Sequence, residues 1–320
     1  MKRVLVIVVT YNGRQWLDRC LGSVPSWADV FVVDNDSTDG SADDVAARFP
    51  QARLVRSAEN LGFSKANNLG FKYSLERGYD YVYLMNQDAW LAPGALETLL
   101  DAAEAHSDYA VLSPLQYQNG YKAFDSQFSK LYAGSAEGMG LQTASASLRP
   151  LPTRSASDDA AVGPSLLHGR GWPWVCNPIP SAEPIEVKRV MAAHWLVPVS
   201  ALKTIGLFEE ELFPLYGQDD DWCNRVRHHK LRVGVVPAAK AVHDRAQRQE
   251  ARQKVIRRNY YIGSLVRLCD PNRPLWERFA FVCLFTLVKS VKYGSLLPFK
   301  YFWQICHQFP AIRRCRGRQV

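Results

Sequence analysis

Four polar strings in the first ninety residues each follow or border an apolar, β-branched run. In one-letter code they are VTYN at 9–12, VVDNDSTDGS at 32–41, NLGFSKANNLG at 60–70 and LMNQD at 84–88. Each string places polar side chains where a parallel strand would end, and open α/β sheets bind their ligands at that edge. Side chains of these types suit a nucleoside diphosphate that is held by a metal ion.

A carboxylate at the end of the predicted fourth strand is the first candidate for holding that ion. Asp88 offers hard oxygen ligands, which Mg²⁺ and Mn²⁺ prefer when they neutralise a leaving diphosphate. Asn86 points the same way, because it lies two residues earlier on an extended chain. His243 can complete the metal shell through its imidazole. The alternatives are a strand-end turn with capping side chains and a structural histidine.

The nucleotide itself has several candidate partners in the same strings. Asp34 ends the second strand beside Asn35, and its carboxylate can accept a hydrogen bond from a base N–H. The alternative is an Asx turn in a loop rich in Asp, Asn and Ser. Tyr11 can stack on the base or pack on a helix. The remaining candidates to line the nucleotide are Asn60, Lys65, Asn67 and Gln87.

A second polar cluster, residues 208–222, contains three consecutive aspartates at 219–221. Adjacent carboxylates repel one another, so they favour a nearby cation or a proton partner. Asp219 is our candidate for a base that activates an acceptor hydroxyl. Asp221 would orient Arg225 or the acceptor. The alternative is a helix N-terminus, where aspartates interact favourably with the dipole.

Regular elements must position these strings, and the intervening sequence predicts them. Apolar, β-branched runs predict strands at 4–9, 30–33, 53–56, 81–85, 186–199 and 231–236. Helical spacing or helix-start signals lie between them at 16–21, 41–49, 64–77 and 94–105. This alternation predicts an α/β fold with a doubly wound, mostly parallel sheet flanked by helices.

The stretch between about residues 135 and 184 lacks regular periodicity and is rich in Ser, Ala, Gly and Pro. A loop of this length inside a domain is usually functional or mobile. We read it as an irregular insertion within a catalytic domain at 1–245. It is either a disordered insertion or a lid that faces the acceptor, with Trp172 and Trp174 as contacts.

The net charge of +8 comes from the C-terminal part of the chain. Residues 245–320 hold 16 Lys and Arg against 3 Asp and Glu, whereas residues 1–244 hold 23 against 28. A positively charged surface favours binding to anionic lipid or nucleic acid. We expect no nucleic acid partner, because the arginines lack the interleaved aromatic residues that track a strand.

The C-terminal segment, 246–320, has the pattern of basic and apolar helices. A basic amphipathic helix is predicted at 248–268, and apolar runs follow at 279–288 and 296–305. No apolar stretch reaches the roughly 20 residues that cross a bilayer. The pattern therefore favours a helical segment that lies in the membrane interface. The alternative is a helical subdomain that packs on the core or on a second subunit.

The cysteines and the first residues favour a cytoplasmic protein. The seven cysteines stand at 20, 176, 223, 269, 283, 306 and 315. No pair has the spacing of a zinc or redox motif, and the count is odd, so we expect reduced thiols. The apolar run at 4–9 is too short for a signal peptide and is predicted to be a strand.

Taken together, these strings resemble family-2 glycosyltransferases with the GT-A fold, especially the bacterial rhamnosyltransferase-like branch, over roughly residues 4–245. In that family the strings that match Thr10–Asn12, Val33–Ser41 and Asn60–Gly70 build the nucleotide pocket. The resemblance thus adds Thr10 and Asn12 to the nucleotide candidates. It also places Asp88 in the position of the family's metal ligand.

The block Phe208–Arg225 resembles the family's second signature. The resemblance puts Asp219 in the place of the catalytic aspartate and His243 in the place of a histidine often found near the metal. Two positions depart from the family pattern. Gln218 stands where Glu is usual, and Asn86 stands where many relatives carry the first Asp of an Asp-x-Asp motif.

The resemblance implies an inverting transferase that moves a sugar from a nucleoside diphosphate to a hydroxyl of a lipid-linked or oligosaccharide acceptor. It implies dTDP-rhamnose as the first candidate donor and UDP-hexoses as the second. It also implies a role in the synthesis of an envelope polysaccharide such as O-antigen. The tail would then hold the enzyme on the inner face of the cell membrane. The rival functions are a nucleotidyltransferase, a non-catalytic sugar-nucleotide-binding relative and a nucleic-acid-binding protein.

Overall fold

The computed structural model describes residues 2–118, 120–121, 123–125, 182–244 and 252–317. Trp172, Trp174 and nearly all of the predicted insertion therefore lie outside the described residues. The strands are β1 (Val4–Thr10), β2 (Asp29–Asp34), β3 (Arg53–Arg56), β4 (Tyr81–Asn86), β5 (Ala89–Leu91), β6 (Tyr109–Gln118), β7 (Ala123–Phe124), β8 (Ile185–Glu186), β9 (His194–Pro198) and β10 (Arg232–His243).

The strands form one sheet in the order β3-β2-β1-β4-β9-β6-β10-β5, with β7 paired to β6 and β8 to β10. β1 pairs in parallel with β2 and β4, and β6 pairs in parallel with β10. β9 is antiparallel to both β4 and β6, and β5 is antiparallel to β10. The prediction of a mostly parallel sheet is confirmed.

Helices cover both faces of this sheet. Those of the first part are α1 (Leu17–Gly22), α2 (Ser41–Arg48), α3 (Gly62–Arg77), α4 (Ala95–Ala105), α5 (Val199–Ile205) and α6 (Gln218–His228). Successive β1 side chains point to opposite faces. Leu5 and Ile7 pack with residues of α3, α5 and α6, whereas Val6 and Val8 pack with residues of α1, α2 and α4. The sheet is therefore doubly wound, as predicted.

The C-terminal segment is helical and packs on the preceding part of the chain. Its elements are α7 (Arg252–Ile256), a π-helix (Arg257–Ile262), α8 (Gly263–Cys269), α9 (Leu275–Tyr293), α10 (Leu297–His307) and α11 (Phe309–Gly317). Their inward side chains share a core with Leu212 and Phe213, and Arg314 pairs with Glu211 at 2.9 Å.

Among the described residues, none of the helices is both long enough and apolar enough to cross a membrane. The described residues contain six cysteines, and none of the six forms a disulfide with another described residue. Cys176 lies outside the described part of the chain. The C-terminal helices pack on the core through Leu212 and Phe213, as the alternative of a helical subdomain expects. Only one face of α9 takes part in this packing, because its outward face is exposed.

Candidate functional site

Gln87 joins the end of β1 to the loop that follows β4. Its Oε1 accepts hydrogen bonds from the Tyr11 N–H at 2.8 Å and the Thr10 hydroxyl at 3.0 Å, and its Nε2 donates to the Tyr11 carbonyl at 3.2 Å. A Cβ atom at Gly13 would lie 2.1 Å from Gln87 Oε1, so a larger residue there would displace the Gln87 amide from these hydrogen bonds. Gln87 thus fixes the Tyr11 backbone, while the Tyr11 residue remains 48% exposed and available for stacking.

Asn12 and Asp34 connect the loops after β1 and β2. The Asn12 N–H donates to Ser37 Oγ at 3.0 Å, and Asn12 Oδ1 accepts from the Thr38 N–H at 2.8 Å. Asp34 Oδ2 accepts from the Ser37 N–H at 3.2 Å, whereas Oδ1 is buried without a hydrogen-bond partner among the described residues. A buried acceptor left unpaired costs about 1–3 kcal/mol. A ligand N–H would remove that cost.

Asn35 and Asn60 form the next layer of this edge. Asn35 Nδ2 donates to Asn60 Oδ1 at 3.0 Å, and Asn35 Oδ1 accepts from the Leu61 N–H at 2.7 Å. Both side chains are thus used to hold the loop after β2 against the start of α3. Their assignment to the nucleotide stays a prediction.

Lys65 and Asn67 lie on α3 with different surroundings. Lys65 is half exposed, and its Nζ lies 3.7 Å from a Glu59 carboxylate oxygen. Asn67 is buried and donates from Nδ2 to the Phe63 carbonyl one turn earlier, at 2.9 Å. Neither of these contacts joins Lys65 or Asn67 to the other nucleotide candidates. Their assignment to the nucleotide stays a prediction.

The candidate metal ligands meet where β10 ends beside the loop after β4. His243 Nε2 lies 3.5 Å from Asp88 Oδ1 and 3.4 Å from Asn86 Nδ2. The Asp244 N–H donates to the Asp88 carbonyl at 2.7 Å, which fixes the two chain segments together. Carboxylate oxygens are the ligands that Mg²⁺ and Mn²⁺ prefer, and imidazole is a common ligand of transition-metal ions. The residues present therefore fit a divalent cation.

Asp125 lies behind this pair and was not among the residues singled out from the sequence. It is fully buried, and its Oδ2 lies 3.8 Å from His243 Nδ1, on the side of the ring opposite Asp88. A carboxylate in that place can orient a metal-binding histidine. No local motif marks Asp125, because only the β6–β7 and β6–β10 pairings bring it to His243.

His194 supports the same strand end and was also missed. Its Nε2 donates to the Val242 carbonyl at 3.0 Å, and its Nδ1 accepts from the Tyr83 hydroxyl at 2.8 Å. Complete burial lowers the pKa of His194 to about 3, so the ring is neutral at physiological pH. The ring thus holds the residue before His243 in place.

Asp219 lies in the first turn of α6. Its Oδ1 accepts from the Asp220 N–H at 2.9 Å. Burial among protein atoms, followed by the neighbouring Asp220 carboxylate, raises the pKa of Asp219 to about 7, although Arg189 opposes the rise. Arg189 forms an ion pair with Asp220. A carboxyl group with a pKa near 7 is matched to general-base chemistry at neutral pH.

Two contacts connect the start of α6 to the nucleotide strings and the metal candidates. The loop before α6 packs on α3, since the Ser64 N–H donates to the Pro214 carbonyl at 3.1 Å. On the other side, Arg189 pairs with Asp220, the residue after Asp219. Ala193 lies four residues after Arg189, and its carbonyl accepts from the Asn86 N–H at 3.1 Å. Four residues span at most about 14 Å. The segments that carry Asp219 and Asn86 are therefore linked by a short piece of chain.

Asp221 and Arg225 form a buried ion pair beneath α6. Arg225 Nε donates to Asp221 Oδ2 at 3.0 Å, while its two terminal nitrogens donate to the carbonyls of Ile205 and Leu207 at 2.8 and 2.9 Å. Because these contacts are buried, the pair holds α6 to the end of α5. This arrangement fits a supporting role and leaves no exposed group for an acceptor.

Comparison with known proteins bears on the family and the fold of the chain. The model of the family "Glycosyl transferase family 2" matches residues 5–145. The N-acetylglucosaminyl-diphospho-decaprenol L-rhamnosyltransferase of Mycobacterium tuberculosis is 27% identical over 266 residues, which cover 75% of this chain and 76% of that protein. The dTDP-rhamnosyl transferase RfbF of Shigella flexneri is 22% identical over 242 residues, with 75% and 68% covered.

A solved structure supports the fold. The mannosyltransferase PcManGT of Pyrobaculum calidifontis, in complex with GDP-Man and Mn²⁺, superposes with a TM-score of 0.55 at 15% identity. The alignment covers 99% of this chain and 84% of that one. These matches support the assignment of the chain to glycosyltransferase family 2, with the GT-A fold, a nucleotide-sugar donor and rhamnosyltransferases among its relatives.

Proposed function

We propose that the enzyme transfers rhamnose from dTDP-rhamnose to a hydroxyl of a lipid-linked glycan in envelope polysaccharide synthesis, such as that of O-antigen. The names of two relatives support this choice: one is a dTDP-rhamnosyl transferase, and the other acts on a diphospho-decaprenol acceptor. A UDP-hexose donor on the same fold is the second candidate. A sugar-nucleotide-binding protein without catalysis is the third.

The buried, unpaired Oδ1 of Asp34 is the observation that carries the nucleotide assignment. A thymine or uracil ring offers one N–H to such an acceptor, and the half-exposed Tyr11 lies at the end of the adjacent strand. This pairing satisfies the carboxylate and suits a pyrimidine base that carries a ring N–H. It supports both dTDP and UDP donors, so it does not separate the first candidate from the second.

The mechanism assigns one role to each group at the edge of the sheet. Asp219 takes the proton of the acceptor hydroxyl as that oxygen attacks the anomeric carbon, and the bond from this carbon to the diphosphate oxygen breaks. The single displacement inverts the anomeric configuration. Asp88 and His243 would hold a divalent cation, which would neutralise charge on the leaving diphosphate. Asp125 keeps the His243 ring in position.

The donor is tested by measuring nucleoside diphosphate release and product mass with dTDP-rhamnose and with UDP-hexoses. Each donor is given Mg²⁺ or Mn²⁺ and a polyprenyl-diphosphate N-acetylglucosamine acceptor. The proposal expects turnover with dTDP-rhamnose. Turnover only with a UDP-hexose supports the second candidate, and binding without turnover of any donor supports the third.

Replacing Asp34 by Asn is expected to weaken dTDP binding about 10- to 100-fold, because a hydrogen bond to a charged acceptor contributes about 1.5–3 kcal/mol. Isothermal titration with dTDP measures the change. Asp36→Asn is the matched control, since Asp36 is exposed on the same loop. Equal affinity of the Asp34→Asn and wild-type proteins would contradict the assignment of the base to Asp34.

We also propose that the enzyme is a peripheral protein of the inner face of the membrane and binds there through α9. Phe281, Leu284, Val288 and Val291 recur at helical spacing and are exposed, with Val291 84% exposed. Lys292, next to this stripe, and Lys300 on α10 are exposed as well. An apolar stripe with a basic flank suits an anionic lipid surface.

The double substitution Leu284→Asp and Val291→Asp places two charges on that stripe. We expect it to abolish flotation with phosphatidylglycerol-containing vesicles. Both positions are solvent-exposed, so the change spares the core that the C-terminal helices share with Phe213. Ile185→Asp is the control, because Ile185 is exposed on β8, outside the C-terminal helices. If the double variant floats as well as the wild type does, α9 is not the membrane face. If the wild type is a dimer and the double variant is a monomer, the stripe is a subunit interface instead.

A further inference from the structure

A separate group of metal-ligating side chains lies where α6 meets the C-terminal helices. A carboxylate oxygen of Asp221 and the Sγ atoms of Cys269 and Cys315 all lie within 4.8 Å of one another. They come from the first turn of α6, the end of α8 and α11. Each of the three residues is at most 3% exposed.

Only one of the two Asp221 carboxylate oxygens has a hydrogen-bond donor among the described residues. Its Oδ2 accepts from Arg225 Nε, whereas its Oδ1 is buried without a hydrogen-bond partner in the described part of the chain. The terminal nitrogens of Arg225 donate to the carbonyls of Ile205 and Leu207. A buried polar oxygen without a donor is costly, and a cation beside the two sulfur atoms would satisfy it.

We propose that Asp221, Cys269 and Cys315 bind one structural zinc ion. Zinc bonds of about 2.3 Å to sulfur and 2.0–2.2 Å to oxygen place tetrahedral ligand atoms about 3.5–3.8 Å apart, which is within the observed limit. Thiolate ligands select zinc over magnesium and manganese. A water molecule would complete the fourth position, because Arg225 already holds the second Asp221 oxygen.

The charges of this site balance. Zinc binding releases one proton from each thiol, and the two thiolates then offset the two charges of the ion. Arg225 continues to offset Asp221. The ion would tie α8 and α11 to the helix that carries Asp219, two residues before Asp221. This role is independent of the donor, the acceptor and the cation at Asp88.

The zinc content of the full chain tests the proposal. The protein is purified without a metal-affinity tag and without chelators, and zinc is measured by plasma mass spectrometry. We expect about one zinc ion per chain, lost in Cys269→Ser and Cys315→Ser. Cys306→Ser, a cysteine of the same helices outside the cluster, retains it. Asp88→Asn also retains it, which separates this ion from the candidate catalytic cation.

Zinc-free wild-type protein, or zinc that persists in both serine variants, would overturn the proposal. A Cys269–Cys315 disulfide found by non-reducing peptide mapping of the wild type would also overturn it, because neither thiol could then bind the ion. If the serine variants fail to fold, cobalt substitution of the wild type decides. A thiolate-to-cobalt charge-transfer band in the near ultraviolet is expected, and its absence rejects the site.

Discussion

Replacing Asp219 by Asn is expected to lower the turnover number about 10²- to 10⁴-fold, the range in which a positioned general base contributes. The amide has the same shape and can keep the hydrogen bond from the Asp220 N–H, but it cannot take the acceptor proton. Because the change affects the chemical step, the donor KM should stay within about threefold. Diphosphate release at saturating donor and acceptor measures both constants.

The pH profile supplies a second readout for the same base. With a pKa of about 7 for Asp219, kcat/KM of the wild type rises about tenfold per unit below pH 7 and levels off above it. Asp220→Asn is the matched control. It keeps the base and removes a carboxylate that raises the pKa of Asp219, so the inflection moves to lower pH while turnover persists. Wild-type turnover in Asp219→Asn would remove Asp219 from the mechanism.

The parallel half of the sheet was predictable because its strands are buried on both faces. Each is a short apolar run between turn residues, so β1, β2 and β4 are recognisable from composition alone. The right-handed alternation with helices then orders them around β1 and brings their carboxyl ends together. For this reason Thr10, Asp34 and Asn86 were expected at one edge, and the pairing register places them there.

The remaining strands depend on contacts that local patterns do not encode. β6 was not among the predicted strands, because Pro114 interrupts its apolar run and proline lacks a donor for the ladder. In the sheet, Pro114 lies opposite Val236, directly before a register shift in β10. The irregular pairing thus accommodates the proline. The proximity of Asp125 to His243 depends on the same pairing, so it could not be predicted from the sequence either.

The C-terminal helices illustrate a different limit of sequence reasoning. Composition identified their apolar and basic character, but not which apolar side chains face inward. Val282 and Thr286 of α9 are buried, while Leu284 and Val291 are exposed, so the helix has a packed face and an open face. A Cβ at Gly217 would lie 2.7 Å from Ile262, which shows how closely these helices approach the residues just before Asp219.

Asp88→Asn is expected to weaken Mn²⁺ binding more than about 100-fold and to remove metal-dependent turnover. The estimate follows from outer-shell substitutions, which alone cost about 10- to 100-fold in metal affinity. Electron paramagnetic resonance of free Mn²⁺ measures the affinity without relying on activity. Asp125→Asn should weaken Mn²⁺ binding by about 10- to 100-fold, because Asp125 lies beside Nδ1 of His243, away from Asp88.

The order of these two effects separates a metal site from a simple ion pair. If Asp88 and His243 only paired with each other, both variants would change stability and leave Mn²⁺ affinity equal to that of the Asp36→Asn control, an exposed carboxylate on the adjacent loop. If they bind the cation, affinity falls in the order Asp36→Asn, Asp125→Asn, Asp88→Asn. Chelator treatment should then stop turnover of the wild type, and added Mn²⁺ should restore it, because the leaving diphosphate needs a neutralising charge.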